Sequence, residues 1–140
     1  MTMNRGDLQN LAKLRVQEAQ ALFDVGLYDG AYYLAGYAVE CAMKACIAKQ
    51  TQEYDFPDKE RAADAWKHDL KELRRVAGLA QAFDKAAKDD PPLQANWDIA
   101  KDWNVKSRYE IATTRAKAQD VIEAVTDKHK GILPWLSVHW

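Results

Sequence analysis

The sequence predicts an all-α protein, an up-and-down antiparallel bundle of four to five helices. Three observations lead there. Residues 29–50, DGAYYLAGYAVECAMKACIAKQ, contain no proline, and their apolar and small residues recur every three or four positions. Elsewhere the same period returns between turn residues, and no segment alternates as a strand would. At 140 residues with 48% hydrophobic composition, the chain is of a length that one domain with its own core accounts for. The expected organisation is a single domain over residues 1–140 with an apolar tail at 131–140.

Each element can be argued from local chemistry. In residues 7–24, Leu8, Ala12, Val16, Ala19 and Phe23 form a buried stripe, with Asp7 or Asn10 available as the cap. Gly26 and the Tyr28-Asp29-Gly30 turn should end that helix. Ala31, Ala35, Ala38, Ala42 and Ala45 keep one side of the 29–50 helix small, with Val39, Met43 and Cys46 widening the stripe. A short connection between two such helices implies an antiparallel hairpin. Pro57 suits the first turn of a short helix reaching about residue 66. Asp69 and Glu72 have capping-box spacing, which starts a helix running to about 76. Gly78 reads as a weak break, 79–87 is helix-compatible, and Asp89-Asp90-Pro91-Pro92 is punctuation. Residues 93–103 suggest one or two turns. Ser107 and Glu110 again have capping-box spacing, which places Arg108 in the first turn of a last long helix to about Lys130, with Gly131 as its stop. The tail ILPWLSVHW is not expected to be helical through Pro134. Its two tryptophans should pack on the domain or on a partner.

Composition narrows the function classes. A formal charge of -1 offers no global attraction for a polyanion, although a local basic patch is compatible with it. Cys41 and Cys46 stand five residues apart on one helix, pointing in different directions, and read as buried thiols in a reducing compartment. No apolar run approaches a membrane span, and MTMNRGDLQN has no hydrophobic signal region, so a cytoplasmic protein is expected. The histidines are too scattered for a metal motif, there is no glycine-rich phosphate loop, and no cofactor is called for.

Two stretches carry candidate chemistry. Tyr33, Gly36, Tyr37, Glu40 and Lys44 share one face of the 29–50 helix. In water the Glu40–Lys44 pair would be a stabilising contact of about 0.2–0.5 kcal/mol. Partly buried, it would line a pocket. On the expected last helix, Arg108, Ile111, Arg115, Ala118 and Ile122 recur at spacings that put both arginines on an otherwise apolar face. Arginine there calls for an anion, either Glu40 of the central helix or a phosphate at the helix N-terminus. His68 should order the turn before its helix, and His129 should sit favourably at a helix C-terminus.

The run YDGAYYLAGYAVECAMKACIAKQ, then HDLKEL, then WNVKSRY and a helix of the type RAKAQDVIEAV, resembles the HEPN domain family (higher eukaryotes and prokaryotes nucleotide-binding) over about residues 8–136. The resemblance implies a helical bundle that commonly forms homodimers with a composite cleft. It also implies relatives that are metal-independent ribonucleases, toxin partners of small nucleotidyltransferases, or binding modules without catalysis. Active members carry an arginine and, a few residues later, a histidine. Arg108 matches the arginine, Glu40 the acid of the second helix and Lys44 the base behind it. Positions 113, 114 and 115 are Thr, Thr and Arg, so the histidine is absent, and proton transfer would need another group, such as Tyr109 or a residue from a second subunit. The leading expectation is a regulatory module that binds a nucleotide, RNA or a partner protein through Glu40, Lys44, Arg108, Arg115, Tyr33 and Tyr37. The alternatives are an endoribonuclease toxin with a substituted motif using Arg108 and Tyr109, and a structural protein assembled through its tail.

Overall fold

The computed structural model describes residues 3–51 and 63–140. Within them lie α1 (Arg5–Asp24), α2 (Tyr28–Gln50), α3 (Leu70–Val76), α4 (Ala80–Lys88), α5 (Pro91–Ala100), a 3₁₀ turn (Val105–Tyr109), α6 (Arg115–Thr126) and α7 (Ile132–Ser137). The fold is an all-α antiparallel bundle, as expected. The helix anticipated over 57–66 lies outside the described residues except for its end.

Helix α1 begins earlier than Asp7. Asn4 is its cap: the Asn4 side chain accepts from the Asp7 N–H at 2.9 Å, and Asp7 Oδ2 accepts from the Asn4 N–H at 3.0 Å. Asp7 therefore answers the cap rather than being it. At the other end Gly26 takes φ +83°, while the Gly26 and Leu27 N–H groups donate to the carbonyls of Phe23 and Leu22. These two hydrogen bonds close the helix and turn the chain directly into α2.

Helix α2 is the axis of the bundle. It packs against α1, α3, α6, α7 and the 3₁₀ turn. Ala31, Ala35, Ala38, Ala42 and Ala45 are buried together with Val39, Met43, Cys46 and Ile47, so burial extends around the helix rather than along one stripe. Both cysteines are free and buried. Tyr33 stacks on Tyr37 and also meets the Trp103 ring, with centroids at 5.9 and 5.8 Å.

Further helix boundaries differ from the sequence reading. Gly78 is a full stop, with φ +69° and the Leu79 N–H donating to Arg74. Pro91 and Pro92 open α5 instead of separating elements, because the first residues of a helix need no intrahelical N–H bond; Asp90 caps the Leu93 N–H. The last long helix starts at Arg115 under a Thr114 cap, not at Ser107. Asn104 caps the start of the 3₁₀ turn by accepting from the Lys106 N–H at 2.8 Å. The Thr113 N–H then donates to Asp29 at 2.9 Å, tying the 110–114 segment to the start of α2. Helix α6 ends at Thr126, because Asp127 turns back to accept from the His129 and Lys130 N–H groups, so His129 lies beyond the helix.

The tail is helical after all. Pro134 is the third residue of α7, where a helix has no partner for the N–H that proline lacks. Ile132 and Leu136 are buried, and Trp135 sets its edge against Phe83 at 5.1 Å. Gln9 donates to the Trp140 carbonyl at 3.2 Å. The tail thus packs on the helical bundle.

Gly36 tests this packing. A Cβ there would lie 2.1–2.3 Å from three atoms of the buried Trp103 indole. Gly36→Ala is expected to lose about 1–3 kcal/mol in urea unfolding, the usual penalty for overfilling a core. A loss within experimental error would mean that the Trp103 segment moves aside freely.

Candidate functional site

A cleft of about 370 Å³ opens between the start of α1, the second half of α2 and the residues leading into α3. Leu8, Leu11, Ile47, Ala65 and Trp66 give it apolar walls, and Tyr37, Glu40, Lys44 and His68 supply its polar groups. Helix α2 brings Tyr37, Glu40 and Lys44 to one side through their spacing of three and four residues. His68 arrives from the loop immediately before the α3 cap, where Asp69 holds the Lys71 and Glu72 N–H groups.

Glu40 is 2% exposed. A carboxylate buried this deeply needs compensation on both oxygens. Oε1 meets His68 Nδ1 at 2.9 Å, and Oε2 meets Lys44 Nζ at 3.3 Å. The Lys44 ammonium also lies over the Trp66 ring, 5.8 Å from its centre. Against an ionised carboxylate, which only accepts, the His68 Nδ1 carries the proton, and Nε2 is left for another partner.

Cys41 lines the same cleft. Burial, and then the Glu40 charge, push its thiol up to about 11; burial does the same for Cys46. A thiol held so high is a poor nucleophile near neutrality. Burial likewise raises the Tyr37 phenol, helped by Cys41 and Glu40.

The structure divides the sequence-predicted residues into two places. Tyr37, Glu40 and Lys44 line the cleft, and Tyr33 stands behind Tyr37 as a stacking support. Arg108, Tyr109 and Arg115 do not line it. Arg108 is exposed on the 3₁₀ turn with its guanidinium 4.9 Å from the Tyr109 ring centre, and Arg115 lies over Phe23 at 5.4 Å. Glu40 pairs with Lys44 and His68, not with either arginine. Nor do Arg108, Ile111 and Arg115 share an apolar face. Ile111 is 91% exposed, and only Ala118 and Ile122 of that series are buried. The helical spacing fails because a 3₁₀ turn and an extended stretch precede Arg115.

His68 and Trp66 are two of the cleft residues that sequence reasoning did not select as site residues. The only local signal was a histidine next to a capping aspartate. Its partner stands 28 positions away, which no spacing rule reaches. Among the described residues, no group of three or more His, Cys, Asp or Glu side chains is placed to hold a metal ion, and no helix is long and apolar enough to cross a membrane.

The buried thiols give a stability test. Their folded values lie above the ordinary 9.0, so the folded chain keeps protons that the unfolded chain releases. That contribution is complete below pH 9.0 and is lost as pH rises to about 11. In denaturant titrations, replacing Cys41 and Cys46 with alanine should flatten the decline of stability over that interval. An unchanged slope would assign the decline to other groups.

Comparison with known proteins gives one family. The sequence model of the HEPN domain matches residues 7–135. No match was found among curated proteins or among solved structures. With nearly the whole chain covered by that match and an all-helical bundle in place, the protein belongs to the HEPN domain family.

Proposed function

We propose that this HEPN-family chain is a regulatory module that binds RNA or a nucleotide, with the Val105–Tyr109 turn and the start of α6 as its contact surface. The observation that carries the reading is Arg108 itself. Its guanidinium is exposed and stacked on Tyr109, and among the described residues no carboxylate lies within ion-pair distance of it. An arginine free in this way offers a planar fork to a phosphate, and an exposed tyrosine beside it offers a surface for a base. Arg115 and Lys117 add two further cations, held over Phe23 and Tyr32.

The residues just after Arg108 favour binding over cleavage. Proton transfer at a phosphodiester calls for a group that titrates near neutrality, and Thr113 and Thr114 are not such groups. Acidic residues also temper the surface. Asp102 and Glu110 lie close enough to Tyr32 to raise its phenol beyond the effect of burial. A contact with few phosphates and a modest salt dependence fits this mixture better than a broad polyanion site. We further propose a homodimer working beside a small nucleotidyltransferase. That pairing rests on family resemblance, and co-purification from the native host tests it.

The decisive experiment measures binding of a single-stranded RNA by fluorescence anisotropy at two salt concentrations, with cleavage monitored in EDTA. The expected outcome is binding without cleavage, with Arg108→Ala and Tyr109→Ala each weakening it by about 1–3 kcal/mol. Arg108→Ala should also lower the salt slope by about one. Cleavage by the wild type, lost in Arg108→Ala, would instead make the protein a metal-independent endoribonuclease. Neither binding nor cleavage would turn the reading toward a structural role.

A further inference from the structure

The cleft on the second half of α2 is separate from the Arg108 surface, and nothing in the RNA-binding reading uses it. We propose that it binds a small monocarboxylic acid with an apolar body, the carboxylate being received by Lys44 and His68, with one proton taken up by His68 on binding.

The polar groups define the head of the ligand. Glu40 occupies the Nδ1 side of His68 and one donor of Lys44. Among the described residues, His68 Nε2 has no partner, and the remaining Lys44 donors have no acceptor. The His68 side chain is 51% exposed and that of Lys44 is 15% exposed, so both are reachable from the cleft. A neutral apolar molecule would cover these groups without pairing them, which is costly in a desolvated site.

Charge balance sets the number of negative charges. Glu40 and Lys44 cancel each other. Among the described lining residues, one added carboxylate leaves a charge of minus one, and a proton on His68 Nε2 returns it to zero while making Nε2 a donor. A dianion such as a phosphate monoester would leave an uncompensated charge against the apolar walls. Among the described residues, the other charged neighbours named here are already engaged. Arg15 of α1 lies over Tyr37 at 5.9 Å and pairs with Glu18, Asp64 holds Lys67 and Arg75, and Asp69 caps α3.

The walls define the body. Leu8, Leu11, Ile47 and Ala65 are aliphatic, and Trp66, although 77% exposed, presents its ring beside Lys44. A volume of about 370 Å³ is that of a small-molecule site.

The test is isothermal calorimetry on the full chain with phenylbutyrate and octanoate, and with phenylbutanol and phenyl phosphate as comparators. Buffers of different ionisation enthalpy are used at a pH where NMR shows His68 neutral. The expected result is binding of the carboxylates with uptake of about one proton, at least about tenfold tighter than phenylbutanol. His68→Gln, which retains a donor for Glu40, should abolish the proton uptake and weaken binding about tenfold, and Lys44→Met should remove carboxylate preference. Equal affinity for phenylbutanol, tighter binding of phenyl phosphate, binding without proton uptake, or no binding of either carboxylate to a chain shown by NMR to be folded would each overturn the proposal.

Discussion

Because α2 is enclosed by α1, α3, α6, α7 and the Val105–Tyr109 turn, its side chains must fit neighbours more often than water. That constraint explains its composition. Alanines and Gly36 keep the helix thin, so that several elements reach it at once, and Trp103 lies directly against the Gly36 backbone. Larger residues would push those elements apart. Smaller ones elsewhere would leave voids around the indole and the Tyr33–Tyr37 stack.

The same enclosure gives Glu40 its meaning. On an outward face it would be an ordinary surface acid, and its pairing with Lys44 would contribute little. At 2% exposure it is a charge that the fold has to compensate, and Lys44 alone reaches only one of its oxygens. His68 supplies the other contact from a different element. The loop before α3 is therefore linked to α2 by an interaction that also orients an imidazole toward an open cleft. Structural compensation and chemical potential reside in the same three side chains.

Arg108 is governed by the opposite circumstance. Its turn is held from behind, by the Asn104 cap and by the bond from Thr113 to Asp29, while its own side chain is left exposed over Tyr109. The backbone is positioned, and among the described residues the guanidinium has no ion-pair partner. Such an arrangement suits recognition, where a pre-organised cation meets a ligand from solvent. The cleft, by contrast, would draw its ligand inside. These are two chemically different surfaces on one helical bundle.

The sequence by itself determined the helical class, the first hairpin, the placement of Tyr37, Glu40 and Lys44 on one side of α2, and the family resemblance. Each depends on caps, on a glycine at a turn, on a period of three to four residues or on a contiguous motif. The register of α6, the seat of His68 and the docking of α7 were decided only in three dimensions. Ser107 and Glu110 have the right spacing for a cap, yet the chain instead closes a 3₁₀ turn and extends to Asp29, 84 positions earlier than Thr113. The Glu40–His68 contact also joins distant positions, and Pro134 is tolerated because of where α7 happens to begin. Local periodicity records what a residue does within its own helix. It carries no trace of which distant group will meet it once apolar burial has brought the helices together.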